Sequence, residues 1–138
     1  MLDLPPGPPL AVLADRAAPW PRANGLRMRG YRLDRSGCPT FLYGDAGTTI
    51  EEHLRSAMRA GGAVLVRSFR IDTRESAELR VAVGKTIEPC GEHTFRIDGR
   101  LTVRCELPPG RRALVRAIAG DRELLVPALP AIELSMTW

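Results

Sequence analysis

The stretch Ala77-Glu-Leu-Arg-Val-Ala-Val83 decides the fold class, because every odd-numbered position in it carries an apolar side chain. Successive side chains of a β-strand point to opposite faces, so a period of two predicts a strand with one buried face. The C-terminal stretch Ala131-Ile-Glu-Leu-Ser-Met-Thr-Trp138 repeats this pattern. Apolar and polar residues alternate through much of the chain from Leu26 to Trp138, and this favours an all-β protein.

Turn signals divide this region into hairpins. Asp34-Arg-Ser-Gly37 suits a type I turn between strands at 26–33 and 39–43. Around Asp98-Gly-Arg100, a three-residue loop would place Phe95 and Val103 on the same face of a hairpin, whereas a two-residue loop would not. We predict the three-residue loop, which makes Cys105 a small buried hydrophobe rather than a reactive thiol.

The segment Thr48 to Met58 fits two kinds of secondary structure. A capping-box spacing at its start and the recurrence of Ile50, Leu54 and Met58 favour a helix. The same three residues also fit the alternation of a strand. Because strands are predicted on both sides, we predict a strand here, with Ala60-Gly-Gly62 as the hairpin connection.

These segments together predict an antiparallel β-sandwich or jelly-roll-like domain of eight or nine short strands over residues 26–138. The whole chain has 138 residues, which is enough for one hydrophobic core. Residues 1–25 are predicted to be a Pro-rich arm or wrap, in which the prolines from Leu4 to Leu10 favour an extended, polyproline-like conformation. We expect this arm to wrap onto the domain through Leu13 and Trp20, although its composition fits an interdomain linker equally well.

Charge and composition exclude several classes of protein. The formal net charge is +4, but most arginines occur singly among acidic residues, so no nucleic-acid-binding surface is predicted. No apolar run approaches the ~20 residues that span a bilayer, and the first residues lack the features of a signal peptide. Three cysteines, Cys38, Cys90 and Cys105, cannot all pair within one chain, which argues against a disulfide framework.

Residues with the chemistry of a metal or catalytic site are few. Cys90 and His93 lie three residues apart and could supply two ligands, and His53 is the only other histidine. Because structural zinc takes four protein ligands, we predict a turn residue and a solvated histidine instead of a metal site. No nucleophile, base and orienting acid can be recognised together. We therefore predict no catalytic residue, no metal site and no cofactor.

Exposed aromatic side chains are the usual platform for a sugar on a β-sandwich. Five of the seven aromatic residues fall at positions expected to face the core, and Trp20 and Tyr31 remain as candidates for contact with a ligand or partner. The arm supplies the other candidate contacts, which are Pro5, Pro6, Pro8 and Pro9.

Several segments resemble one known family. They are Gly30-Tyr-Arg-Leu-Asp34, Cys38-Pro-Thr-Phe-Leu-Tyr43, Leu124-Leu-Val-Pro127, the terminal Trp138 and Ala18-Pro-Trp-Pro21. In these segments the chain is similar to a β-rich module of planctomycete-type secreted c-type cytochromes that carry a sorbosone-dehydrogenase-like propeller. The chain lacks the Cys-x-x-Cys-His motif that attaches haem and has no room for a propeller. The resemblance therefore implies an accessory module in an extracytoplasmic, redox-associated setting, and neither electron transfer nor sugar oxidation.

The sequence thus predicts a non-catalytic structural or protein-interaction module. It would be an accessory subunit of a redox or membrane assembly, or a part of a longer chain, and would use its arm and a sheet edge for contact. The alternative is a β-sandwich that binds a carbohydrate or another small ligand. A metalloenzyme ranks third and requires His53, His93 and Cys90 to converge.

Overall fold

The computed structural model describes residues 7–138, so the candidate contacts Pro5 and Pro6 lie outside the described residues. This part of the chain contains twelve β-strands and no helix. The strands are β1 (Leu10–Ala11), β2 (Arg27–Leu33), β3 (Pro39–Gly44), β4 (Thr48–Arg59), β5 (Gly62–Thr73), β6 (Glu78–Gly84), β7 (Ile87–Gly91), β8 (Thr94–Ile97), β9 (Leu101–Glu106), β10 (Leu114–Ile118), β11 (Asp121–Pro127) and β12 (Ala131–Thr137).

The strands form two antiparallel sheets in a sandwich-like arrangement. The smaller sheet has the order β1-β6-β11-β10, and the larger has the order β2-β3-β4-β5-β12-β9-β8-β7. The all-β class predicted from the alternation is confirmed. The expected number of eight or nine strands is below the twelve observed, and β1 and β7 lie where no strand is predicted. Cys90, predicted to lie in a turn, belongs to β7.

Two local predictions are confirmed, one made from the neighbouring strands and one from side-chain parity. The segment from Thr48 to Met58 is a strand, and β4 pairs with β5 without a break from Thr48 opposite Thr73 to Arg59 opposite Gly62. The backbone N–H and C=O groups of β4 and β5 form hydrogen bonds with each other along this long hairpin. This pairing outweighs the helical spacing of Ile50, Leu54 and Met58. In the β8–β9 hairpin Ile97 pairs with Leu101, so the loop has three residues.

The core lies where the smaller sheet packs on the larger one. Its largest fully buried side chains come from both sheets and include Phe69, Leu79, Leu124, Leu134 and Met136. Cys105 on β9 belongs to this core and is 1% exposed. Burial, assisted by the nearby Glu106 carboxylate, raises the pKa of the Cys105 thiol to about 12.

At pH 8 we expect iodoacetamide to modify Cys90, which is exposed, and to leave Cys105 unmodified in the folded protein. With a pKa of about 12, roughly one Cys105 thiol in ten thousand is ionised at pH 8. Peptide mapping by mass spectrometry measures both sites. Equal labelling rates for the two cysteines would contradict the burial of Cys105.

The same thiol should make the protein less stable in alkali. Its pKa is higher in the folded state than in the unfolded state, so its contribution is fully present below about pH 9 and is lost between about pH 9 and 12. In urea titrations over this range, the unfolding midpoint of the wild type should fall more steeply than that of Cys105→Ala.

The N-terminal segment from Gly7 to Asn24 covers the outer face of the smaller sheet. Ala11, Trp20 and Leu125 form a second apolar cluster there. Trp20 Nε1 donates a hydrogen bond to the Pro8 carbonyl at 2.8 Å. Because β1 pairs with β6, the described part of this segment belongs to the same two-sheet unit as residues 26–138.

A buried group of charged side chains fixes the segment to the sheet. Glu123 on β11 lies between Arg80 and Arg116, with Oε1 at 3.0 Å from Arg80 Nη1 and Oε2 at 2.7 Å from Arg116 Nε. Arg116 Nη1 donates to the carbonyl oxygens of Arg16, at 3.1 Å, and Ala18, at 2.5 Å. The Glu123 carboxylate of β11 therefore links β6 to β10 and, through Arg116, holds the N-terminal segment on the sheet.

Candidate functional site: an uncovered sheet face

The smaller sheet covers only part of the larger one. A single cross-strand row runs from the edge into the core, with Tyr31 opposite Phe41, Phe41 opposite Glu52, Glu52 opposite Phe69, and Phe69 opposite Ile132. Residues directly opposite each other in a sheet lie on the same face. Along this row the exposed fraction falls from 65% at Tyr31 to 2% at Phe69. The core-facing side of the larger sheet therefore extends beyond the smaller sheet and reaches solvent at β2 and β3.

We call the solvent-facing part of this side the open face and define it by Met28, Tyr31, Leu33 and Phe41. The three residues on β2 are each more than half exposed, at 54% for Met28 and 60% for Leu33. The rings of Tyr31 and Phe41 contact each other with their centroids 6.3 Å apart, tilted by 48°. The open face is thus a continuous apolar surface along one edge of the sheet.

A buried ion pair lies where the open face meets the core. Arg67 Nε donates to Glu52 Oε1 at 2.7 Å, and both side chains are buried. The Arg67 guanidinium also lies 5.1 Å from the centroid of the Phe69 ring, in cation–π contact. Next to this pair, burial and then the Glu52 carboxylate raise the pKa of the Tyr43 hydroxyl. The charges of Glu52 and Arg67 therefore neutralise each other at this boundary.

The opposite side of β2 is basic. Arg32 pairs with Glu51 of β4 at 3.3 Å, and Arg29 Nη2 donates to the Asp45 carbonyl at 3.4 Å. Arg27 lies opposite Gly44, on the same side of the strand as Arg32. A bulge between Met28 and Gly30 brings Met28 onto the open face beside Tyr31 and Leu33. Strand β2 is therefore apolar on one face and cationic on the other.

The turn after β2 fixes which backbone groups of this strand are free. The Asp34 N–H donates to the Cys38 carbonyl at 3.0 Å, and the Asp34 carboxylate accepts from the N–H groups of Cys38 and Ser36. The Cys38 amide, and to a lesser extent His53 at 3.1 Å and the Ser36 amide, lower the pKa of Asp34. The Asp34–Cys38 pair is therefore a hydrogen-bonded position of the β2–β3 ladder.

Hydrogen-bonded and non-bonded positions alternate along an antiparallel ladder. Arg32 opposite Thr40 is then a bonded pair, and Leu33 and Tyr31 occupy non-bonded positions. Leu33 lies opposite Pro39, which has no N–H group. A non-bonded position accepts proline, because the two residues there exchange no hydrogen bonds. The N–H and C=O groups of Tyr31 and Leu33 therefore point away from β3, out of the sheet edge.

The structure separates the candidate contact residues predicted from the sequence. Tyr31 lies on the open face, whereas Trp20 is 9% exposed and its ring lies against the Arg80 guanidinium, 4.9 Å from the centroid. Trp20 therefore offers no free ring face. The Pro8 and Pro9 carbonyls accept hydrogen bonds from Trp20 and from the Arg80 amide, so they tie the arm to its own sheet.

Met28 and Leu33 were missed by the sequence analysis. Met28 is an even-numbered position and Tyr31 and Leu33 are odd-numbered, so strict alternation assigns them to opposite faces. Gly30 is the weak sequence signal of the bulge that reverses this, because glycine inside a strand often marks one, and its φ in the structure is 144°.

The residues considered for a metal site do not meet. His53 lies on β4 and His93 between β7 and β8, and four strand spacings separate β4 from β8 in the larger sheet. At about 4.8 Å per spacing this is about 19 Å. In the described residues, no group of three or more His, Cys, Asp or Glu side chains could hold a metal ion. His53, His93 and Cys90 therefore do not form the metal site that the metalloenzyme hypothesis required.

The two aromatic side chains that are exposed, Tyr31 and Trp138, are also far apart. Trp138 follows β12, which is four strand spacings from β2, so these rings do not form one sugar platform. No helix of residues 7–138 could span a membrane.

The fold and this site define a class of protein, an all-β two-sheet domain with one sheet face partly uncovered. Compared with protein-family models, with curated proteins and with solved structures, the chain gives no match.

Proposed function

We propose that the protein is a non-catalytic interaction module whose open face binds a protein surface, either a subunit of a larger assembly or another part of a longer parent chain. The observation that supports this is the row from Tyr31 to Ile132, in which one face of the sheet passes from solvent into the core. Full burial of an exposed apolar side chain contributes about 1.5–3 kcal/mol. Three such side chains lie side by side on β2.

The composition of the open face fits this role. Tyr and Met are enriched in protein interfaces, and charged side chains are depleted at interface centres. The nearest charged groups on this side of the sheet, Glu52 and Arg67, are already paired. The resemblance to modules of secreted cytochromes supports a redox-associated, extracytoplasmic assembly as the setting.

The proposal predicts a large effect of one charge on the open face. The full-length protein, isolated from its source under mild conditions, should elute in a particle larger than 15.1 kDa, and Leu33→Asp should release it. Size-exclusion chromatography with light scattering measures this, and visible absorbance of the particle tests the redox setting. Because Leu33 is exposed, the variant should change the free energy of unfolding by no more than about 0.5 kcal/mol.

Val12→Asp is the matched control, because Val12 is also more than half exposed but lies on the N-terminal segment. This variant should remain in the particle. A wild-type protein that elutes as a species near 15.1 kDa, or a Leu33→Asp variant that stays in the particle, would overturn the proposed function.

A further inference from the structure

We infer that the partner contributes an extended acidic segment, which pairs with β2 as an additional strand of the larger sheet. This inference rests on the proposed function and specifies the chemistry of the partner at the same site. Strand β2 is the first in the order of the eight-stranded sheet, so no strand of residues 7–138 lies along its outer side. The outward N–H and C=O groups of Tyr31 and Leu33 supply the hydrogen bonds that such a strand needs.

The two sides of β2 specify the pattern of side chains in the added strand. On the open face its side chains would extend the apolar row that begins at Tyr31 and Phe41. On the other face a side chain of the added strand would lie beside Arg32, about 5 Å away across the strands. Arg29 and Arg27, which lie at and before the bulge, would attract acidic residues at the end of the segment. The Arg32–Glu51 pair is exposed and therefore weakly stabilising, so Arg32 can share its charge with a further carboxylate. The complementary segment alternates apolar and acidic residues.

A second copy of this chain fits the edge poorly. Two β2 strands side by side would bring Arg27, Arg29 and Arg32 close to the same arginines of the other copy, and like charges across strands are destabilising. The opposite edge of the larger sheet is β7, which contains Pro89 and a bulge between Pro89 and Gly91. Proline and bulges at an edge block the pairing of a further strand.

The geometry also limits the length of the added strand. The bulge between Met28 and Gly30 interrupts the ladder, so regular pairing is available from Gly30 to Leu33. The turn from Asp34 to Gly37 ends the strand on the other side. The added segment therefore pairs over about four residues, and its affinity depends on the side chains as well as on the backbone.

The test uses a nine-residue peptide of alternating Val and Glu with blocked ends, titrated into the full-length protein. Amide hydrogen exchange followed by NMR reports the pairing. In the free protein the amides of Tyr31 and Leu33 should exchange fast and that of Arg32 slowly. At saturating peptide the first two should slow by at least tenfold, and Arg32, which already bonds to β3, should change little.

Four matched probes isolate the causes of binding. A peptide with Lys in place of Glu should bind at least tenfold more weakly, and so should a Val and Glu peptide N-methylated at the amides that face β2. An Arg29→Glu, Arg32→Glu double variant should reverse the preference between the Glu and Lys peptides. Leu33→Pro should weaken binding more than Leu33→Ala, because proline also removes the outward N–H group.

The outcomes distinguish this inference from the proposed function. Binding with no slowing at Tyr31 and Leu33 would overturn strand addition and leave contact with the open face intact. Failure of the Glu peptide to bind at about 5 mM, a concentration at which even very weak complexes form, would overturn the acidic-strand inference. Chromatography of Leu33→Asp would still decide the proposed function. Slowed exchange at Tyr31 in concentrated protein without peptide would assign the edge to a second copy.

Discussion

Glu123→Gln should lower the free energy of unfolding by about 3–5 kcal/mol, because the buried guanidinium of Arg116 loses the carboxylate that neutralises it and Arg80 loses its contact with the same carboxylate. Removing one partner of a buried ion pair costs more than the pair contributes, since the remaining charge stays desolvated. Equilibrium unfolding in urea, followed by circular dichroism, measures the loss.

The variant should also loosen the N-terminal segment. Arg116 holds this segment through the carbonyls of Arg16 and Ala18, and Arg80 lies against the Trp20 ring. In a Trp138→Phe background, the fluorescence of Trp20 should shift to the red before global unfolding.

Glu133→Gln is the matched control. Glu133 pairs with Arg55 at 3.9 Å and with Arg59 at 3.7 Å, and all three side chains are over a third exposed. Exposed pairs contribute about 0–1 kcal/mol. If Glu123→Gln cost no more than Glu133→Gln, the buried network would not be what holds the segment to the sheet.

The sequence was sufficient for features that depend on side-chain parity within one hairpin. Alternation in 77–83 and 131–138 identified β6 and β12, and the pairing of Phe95 with Val103 followed from the length of one loop. These predictions work because one face of each strand must be buried, and a shift of one residue would expose it.

Other features depend on contacts that no local pattern contains. Strand β1 has two residues, too few for a period, and β7 includes Pro89, which inside a strand is found mainly at a sheet edge or a bulge. The burial of Trp20 depends on a hydrogen bond to the Pro8 carbonyl and on Arg80, sixty positions further along the chain. The sequence predicts Trp20 both as a residue packed on the domain and as a candidate contact for a ligand, and only these contacts decide between the two.

The open face shows the same limit at the level of the sheet. Phe41 and Phe69 both point to the core-facing side of the larger sheet. Glu52 of β4 lies between them, opposite Phe41 of β3 on one side and opposite Phe69 of β5 on the other. The alternation of each strand therefore predicts the same burial for both rings. Only the extent of the smaller sheet decides that Phe69 is buried and that Phe41 is partly exposed beside Tyr31.

This difference can be measured by making the same substitution at both positions. Phe69→Ala should lower the free energy of unfolding by about 3–5 kcal/mol, since the cavity lies beneath the smaller sheet and cannot collapse freely. Phe41→Ala should cost about 1 kcal/mol, the typical value for a single substitution. Urea unfolding of both variants gives the two values.

The two variants should reverse their order in binding. Phe41→Ala removes the side chain that supports the Tyr31 ring, so it should release the protein from its particle while the fold is retained. Phe69→Ala, assayed at a temperature where it is folded, should remain in the particle, because Phe69 does not reach solvent. Equal costs in stability for the two variants would mean that the smaller sheet extends over β3, and the open face would then be too small to bind a partner.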